Sequence, residues 1–554
     1  MAETDGPEDR KPASDEARSA FSAPAGVDTG AVLPGLAEGE ASTTSEFAVP
    51  AGLAAESAAE PEGSAFTTPR TYSARDSPTA FTPAHGFPMI KLAKEAPWQD
   101  RMRTVLRMPV SERPALEPAQ KHDDAGPAVP RVLDLTLRIG ELLLAGGEGA
   151  EDVEAAMFAV THAYGLERCE PNVTFTLLSI SHQPSLVDDP VSANRTVRRR
   201  GTDYTRLAAV YHLIDDITSE DVDVSLEEAY RGLASIRRNR HPYPGWALTG
   251  ASGLLAGAAS VLVGGGPLVF IAAAIGAMLG DRLAWLLAGR GLPEFYQFAV
   301  AGMPPAAMGV ALALADVDVS GSAVITGGLF ALLPGRALVA GVQDGLTGYY
   351  ITASARLLEV MYFFIAIVAG VLVMLYVGLQ LGTDNLDAEA GLHIVSRPVV
   401  QIIASVMLSF AFAILLQQDR STVLLVAMNG GVAWVIYGAL TYGAKFSAVP
   451  ATAIAAGLVG LFGQLLSRYR YASALPYVTA AIGPLLPGSA TYFGMLYIAH
   501  NDIDKGMASL SKAAALALAI AIGVNLGGEI SRLFMQAPGV LGGQRRAAKR
   551  TRGF

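Results

Sequence analysis

The chain has 554 residues, 51% of them hydrophobic and 17% charged, with a formal net charge of −10 and a mean hydropathy of +0.35. No basic stripe carries interleaved aromatic residues, which argues against a nucleic-acid partner. The single cysteine, Cys169, excludes an internal disulfide and a cysteine-based zinc site and is expected to be a small buried apolar residue.

These averages conceal distinct zones. Residues 1–128 are rich in Ala, Pro, Ser, Glu and Gly and show little apolar periodicity. Such a composition cannot bury enough surface to offset chain entropy, so it predicts a disordered tail. Met1 is followed by acidic and polar residues instead of a basic stretch and an apolar core, which speaks against a cleaved signal peptide.

Residues 129–241 read as a soluble α+β domain. Val132, Leu133, Leu135, Ile139, Leu142 and Leu143 have helical spacing, and Gly146-Gly147-Glu148-Gly149 ends that helix. The glycine run is a poor phosphate loop, because it lacks the Lys-Ser/Thr and a preceding strand. A second amphipathic helix runs from Glu151 to Tyr164. Val173 to Leu177 is predicted as one strand and Thr196 to Arg200 as another, with helices over Tyr204 to Ile217 and Leu226 to Arg238. Ser179, Ser181, His182, Asp188 and Asp189 resemble a hydrolase set only in residue type, since no nucleophile-elbow sequence surrounds either serine. His162, His182, His212 and His241 lack metal-ligand spacing. The expectation is therefore no enzyme, no catalytic residue, no metal and no cofactor.

From Trp246 onward ten segments approach the ~20 residues that a bilayer crossing needs. They lie at about 247–264, 267–288, 295–315, 321–343, 356–381, 399–417, 421–440, 447–467, 473–498 and 509–531. The chain repeats itself here: Leu332-Leu333-Pro334-Gly335 reappears as Leu485-Leu486-Pro487-Gly488, 153 residues later. The repeats span 242–382 and 398–534, and five spans in each would turn the second copy upside down. The predicted fold class is thus a polytopic α-helical membrane protein of about ten transmembrane helices in two inverted five-helix repeats, with an α+β N-terminal domain.

Charge orients the spans. Arg231, Arg237, Arg238 and Arg240 precede the first, and Arg290, Arg356, Arg420, Arg468 and Arg470 sit in or beside alternate loops. Arg545, Arg546, Lys549, Arg550 and Arg552 follow the last, in a basic tail over 535–554. The other loops hold Asp316, Asp318, Asp384, Asp387 and Glu389 against Arg397, Lys445, Lys505 and Lys512. The positive-inside rule then puts both termini and the soluble domain in the cytoplasm.

The fourth and ninth spans carry the chemistry. Pro334-Gly335 and Pro487-Gly488 break them at matching positions, and a break inside a bilayer is tolerated where it lines a polar cavity. Arg336, Gln343, Asp344, Thr347, Thr352 and Arg356 follow the first break, and Ser489, Thr491, Tyr492, His500, Asn501 and Asp502 follow the second. Asn429, Asn525, Glu529 and the neighbouring Asp281 and Arg282 lie elsewhere in apolar surroundings. Polar groups in hydrocarbon are costly, so Asp344, Gln343, Thr347, Thr352, Arg336, Asn429, Ser489, Asp502 and Glu529 are the candidates for substrate contact or coupling. Asp344 is foremost among them, for proton coupling or for contact with a substrate amine.

Several motifs together resemble the threonine/serine exporter family of actinobacteria. They are Gln343-Asp344 with Gly345-Leu346-Thr347-Gly348 through Arg356, Gly264-Gly265-Gly266, Gly291-Leu292-Pro293-Glu294-Phe295 and Leu486-Pro487-Gly488. Arg138-Ile139-Gly140-Glu141-Leu142-Leu143 and Ala163-Tyr164-Gly165-Leu166 extend the likeness into the soluble domain. The resemblance implies a ten-span plasma-membrane exporter of L-threonine and L-serine, driven by the proton motive force, with a cytoplasmic N-terminal domain sometimes likened to a hydrolase. It also implies relatives split into two polypeptides and linked to succinate export, which leaves a dicarboxylate exporter as the alternative, ahead of a membrane-tethered hydrolase or a channel. The expected partners are the amino acid, protons and the lipid bilayer; a homo-oligomer is left open.

Overall fold

The computed structural model describes Trp98, Gln99, Met102 and residues 129–534, except 167, 186, 199–200, 202, 220–221, 240, 318, 384–397 and 471–472. The expected disordered tail, the basic tail over 535–554 and the loop charges Asp318, Asp384, Asp387, Glu389 and Arg397 therefore fall largely or wholly outside the described residues.

The N-terminal domain begins with α1 (Val129–Ala145), whose Val132, Leu133, Ile139 and Leu143 are buried. The glycine run ends it as expected: Gly147 adopts φ +91°, a conformation that L side chains rarely take, and α2 (Ala150–Ala163) starts after Gly149. Glu151 and Asp152 sit in the first turn of α2, where they complement the helix dipole. Three antiparallel strands follow in the order β1 (Cys169–Thr174), β2 (Leu177–His182), β3 (Val191–Thr196). Leu178, Ile180 and His182 point to the face covered by α1 and α2, and Ser179 and Ser181 to the other. Next come α3 (Tyr204–Thr218), capped by Asp203, and α4 (Leu226–Arg238), which opens on a capping box between Ser225 and Glu228.

Two strand expectations are corrected. Val173 to Leu177 is not one strand but the tip of a hairpin, with Phe175 at φ +53°. No glycine or asparagine marks this turn; the Phe175 N–H donates instead to Thr352 Oγ1 at 3.0 Å, a tertiary contact invisible to local pattern. The last strand ends at Thr196 and does not begin there.

Eight described helices are long and apolar enough to cross a membrane. They are α5 (Gly245–Leu262), α6 (Pro267–Gly289), α7 (Glu294–Leu314), α10 (Tyr350–Gln380), α11 (Pro398–Leu415), α12 (Arg420–Gly438, extended by a π turn), α13 (Ala448–Arg470) and α16 (Ile503–Phe534). Ile271, Trp285, Val373, Leu424, Met428 and Leu526 are large, apolar and exposed on them. Such a surface suits hydrocarbon and not water, so the protein is a polytopic, membrane-embedded helical protein. The fifth and tenth predicted spans start earlier than expected, at Tyr350 and Ile503.

The fourth and ninth expected spans are each divided. The fourth is α8 (Gly321–Leu329) and α9 (Gly335–Leu346). The ninth is α14 (Leu475–Thr479), a 3₁₀ turn and α15 (Gly488–Ala499). Pro334 and Pro487 cap the second halves, because a proline offers no N–H to continue the helix before it. The breaks touch one another: a Cβ on Gly335 would lie 3.2 Å from Leu486, and one on Gly488 would collide with Leu333.

Element boundaries keep the sequence offset. Gly245 and Pro398, Pro267 and Arg420, Gly335 and Gly488, and Tyr350 and Ile503 all open helices 153 residues apart. Packing repeats too. α7 lies on α10 as α13 lies on α16, while α5 meets α11 and each second half-helix meets the last helix of the other repeat. Small residues permit the closest approach. A Cβ on Gly460 would sit 2.6 Å from the Val524 carbonyl oxygen, and one on Gly527 would meet the Gly457 backbone.

Candidate functional site

Asp344 sits near the end of α9, 2% exposed, and pairs with Arg356 of α10 at 2.8 Å. Its other oxygen accepts the Ala150 N–H at 3.2 Å, from the first residue of α2. Arg356 in turn donates to the Glu148 carbonyl oxygen at 3.1 Å. The glycine loop of the N-terminal domain is thus held against the membrane domain by a buried ion pair. Removing one partner of such a pair costs about 3–5 kcal/mol, because the other charge stays buried.

The same loop carries the Glu148 side chain, 3% exposed, whose carboxylate accepts from the Ser473 hydroxyl at 3.3 Å. Arg336, one residue past the first break, lies over Gly147 so closely that a Cβ there would strike its guanidinium. That guanidinium donates to the Tyr204 hydroxyl at 3.3 Å, which donates to Thr479 at 3.2 Å. Gln343 donates to Asn525 of α16 at 3.0 Å.

These groups surround a cavity of about 510 Å³. Its wall is made by the glycine loop with the start of α2, α3, α9, Arg356 of α10, the segment from Ser473 through α14 to Ile482, α13, α16 and Gln99. The volume falls in the range of ~300–1,000 Å³ common to small-molecule sites. Among the described lining side chains, carboxylates (Glu148, Glu151, Asp152, Asp215, Asp344, Glu529) outnumber the guanidinium groups of Arg336 and Arg356. An acidic cavity with one cationic corner suits a ligand bearing an ammonium group beside a carboxylate.

Of the sequence candidates, Arg336, Gln343, Asp344, Thr347 and Glu529 line this cavity. Thr352 does not. It is buried against the hairpin, accepting from Phe175 and donating to the Val173 carbonyl at 3.4 Å. Asn429 is buried where α12 meets α13 and donates to the Val459 carbonyl at 3.5 Å. Asp502 pairs with Lys505 at 3.0 Å at the start of α16, and Ser489 on α15 is likewise absent from the lining. Pro334, Gly335, Pro487 and Gly488 are absent from the lining. Asp281 and Arg282 act separately: the first accepts from Thr249, the second donates to the Gly245 carbonyl at 3.2 Å.

Glu148, Ser473, Tyr204 and Thr479 were not among the sequence candidates. A carboxylate inside a glycine run was a visible signal, but helix termination alone accounted for that run.

A second cleft of about 710 Å³ lies on the uncovered sheet face. Cross-strand rows Asn172, Ser179, Asn194 and Glu170, Ser181, Ser192 line it, opposite Thr347 and Tyr349. It shares Glu151 and Thr347 with the first cavity. Glu154 at its edge accepts from the Tyr349 hydroxyl and from the Val173 N–H, and burial holds its carboxyl above the ordinary range. The serines of the imagined hydrolase set face this cleft, whereas His182 lies on the covered face, 3.5 Å from the Cys169 sulfur. Cys169 is fully buried, as expected, and burial pushes its thiol up to about 11. No group of three or more His, Cys, Asp or Glu able to hold a metal occurs among the described residues.

Interrupted helices around a cavity that both broken segments help to wall, in a polytopic membrane protein, are the architecture of a transporter. Residues 134–378 match the family described as "Putative threonine/serine exporter", and residues 401–529 the one described as "Threonine/Serine exporter, ThrE". A "Probable threonine/serine exporter" of Mycobacterium tuberculosis (strain ATCC 25618 / H37Rv) is 35% identical over 411 residues, covering 72% of this chain and 76% of its own. A "Threonine/serine exporter" of Corynebacterium glutamicum is 32% identical over 427 residues, covering 74% and 84%. No solved structure matches. The chain belongs to the threonine/serine exporter family.

Proposed function

We propose that the protein is a secondary exporter of L-threonine and L-serine, driven by the proton motive force, with both termini in the cytoplasm and the amino acid bound in the cavity beside α9. The observation that carries this reading is the cavity itself: apolar in part, with an excess of carboxylates over guanidinium groups, and walled by both broken spans. Arg336 supplies donors for the substrate carboxylate, and Thr347 and the Gln343–Asn525 pair supply partners for a side-chain hydroxyl.

Counting the two broken segments gives ten spans, five per repeat, and an odd number inverts the second copy. Alternating access then follows from rocking one repeat against the other. Asp344 is the coupling group. A proton on its carboxylate would weaken both the pair with Arg356 and the bond from Ala150, loosening the glycine loop from the mouth of the cavity.

The acidic balance of the lining disfavours a dicarboxylate such as succinate. A hydrolase reading is disfavoured by the separation of Ser179 and Ser181 from His182 on opposite sheet faces. The test is uptake of labelled L-threonine into inverted membrane vesicles, with and without a proton gradient. Gradient-dependent uptake blocked by L-serine is expected. Gradient-dependent uptake of succinate without threonine would replace the substrate, and insensitivity to a protonophore would point to a channel.

A further inference from the structure

We infer that the N-terminal domain supplies part of the amino-acid site: Glu148, carried into the cavity by the Gly146–Gly149 loop, accepts the substrate's ammonium group. This rests on the exporter reading above and assigns the group that recognises the amine.

Among the described carboxylates of the lining, Glu148 and Asp344 are the buried ones. Glu151, Asp152 and Asp215 are half-buried and Glu529 is exposed, so water screens them. Asp344 Oδ2 lies 2.8 Å from the Arg356 guanidinium and Oδ1 accepts the Ala150 N–H. Asp344 thus ties the N-terminal loop to α9 and α10. Glu148 is oriented by the Ser473 hydroxyl, from the segment that leads into the second broken span.

Position strengthens the assignment. Arg336 covers Gly147, the residue before Glu148, so the guanidinium and the buried carboxylate flank the same loop in the cavity lining. An α-amino acid carries its ammonium and carboxylate on a single carbon and needs such a neighbouring acceptor and donor. Gly147 is required twice over, by its φ of +91° and by the guanidinium packed against it. The loop thus does more than end α1. It presents Glu148 and leaves room for Arg336.

The second cleft adjoins the cavity through Glu151 and Thr347, and its rows of Ser, Asn and Glu give a polar approach from the sheet face to the cavity. The N-terminal domain is then part of the substrate path.

The test uses the full-length protein in proteoliposomes, comparing wild type, Glu148→Gln, Glu148→Asp and Ser473→Ala. Threonine uptake is measured over a range of concentrations, with 2,3-dihydroxybutyrate as competitor; this analogue has a hydroxyl in place of the ammonium. A lost charge-assisted hydrogen bond predicts a KM for threonine at least roughly tenfold higher in Glu148→Gln. Competition by the analogue should be undiminished there, the Asp variant should recover part of the loss, and Ser473→Ala should give a smaller shift in the same direction. An unchanged KM in Glu148→Gln, or equal losses for threonine and analogue, would overturn the assignment. Should Glu148→Gln not accumulate, Ser473→Ala decides the matter by whether it weakens threonine more than the analogue. Wild-type protein that takes up no threonine would instead sink the exporter reading and this inference with it.

Discussion

Pro334 and Pro487 adopt nearly the same backbone, φ −78° with ψ 41° and φ −80° with ψ 35°, yet the positions around them have diverged in chemistry. Val339, Gln343, Val478, Ile482, Val524 and Asn525 line the cavity. Their counterparts, 153 residues away, are Tyr492, Leu496, Ile325, Leu329, Val371 and Leu372, all in one apolar cluster. The hydrogen-bonded pair Gln343–Asn525 corresponds to Leu496 with Leu372. The two matching places differ: one is a cavity that holds an amide pair, the other is apolar and filled. In the proposed inverted arrangement these are the two mouths of one transport path, the first open to the N-terminal domain and the second sealed.

The largest effects should come from breaking what holds the open mouth. Arg356→Ala leaves Asp344 buried without its guanidinium and should cost about 3–5 kcal/mol, read as a large drop in melting temperature. Asp344→Asn keeps the shape and removes the charge. It should reduce threonine export at least tenfold while the protein still reaches the membrane; wild-type rates would remove Asp344 from the mechanism.

Breaking the sealed mouth comes next. Tyr492 is 2% exposed and packs beside Phe493, with ring centroids 5.2 Å apart. Tyr492→Ala should cost on the order of 3 kcal/mol, as for large-to-small changes in a core. It should also let a small thiol reagent reach a cysteine introduced at Leu329. That experiment has a quiet background, because Cys169 is fully buried with its thiol pushed up to about 11. No gain of labelling would contradict the idea that this cluster is a seal.

The comparison is sharpened by making the open mouth resemble its mate. The double change Gln343→Leu with Asn525→Leu replaces both hydrogen-bond partners by apolar groups, which is close to neutral for stability. Threonine transport should nevertheless fall sharply while melting changes by less than about 1 kcal/mol. Retained transport would show that this amide pair is scaffold.

What the sequence could reveal followed from periodicity and breaks. The eight long apolar helices and the two helix breaks at Pro334 and Pro487 were legible because apolar length and Pro-Gly pairs are local signals. Arg336, Gln343, Asp344 and Thr347 were legible because charge or polarity after a break is costly unless used. Glu148 and Ser473 were not, since they lie 325 residues apart and only the docking of two domains brings them together. Thr352 lies outside the cavity lining, against the N-terminal domain. Its polarity is satisfied by a hairpin that no pattern around it announces.

The smallest expected effect concerns the second contact between the domains, where the Tyr349 hydroxyl donates to Glu154. Burial raises the Glu154 carboxyl above its ordinary value of 4.5, although the bonds from Tyr349 and Val173 oppose the shift. Above the ordinary range the folded protein therefore still holds a proton that the unfolded chain has released. This group's contribution to stability is full below that range and is lost as pH rises through the raised folded value. Melting temperature of the purified protein should decline over that window, and Glu154→Gln should remove this part of the decline while leaving the Asp344–Arg356 contact in place. Superimposable pH profiles for the two proteins would mean that the contact through Glu154 is insensitive to proton uptake, leaving Asp344 as the proton-responsive link between the N-terminal domain and the open mouth.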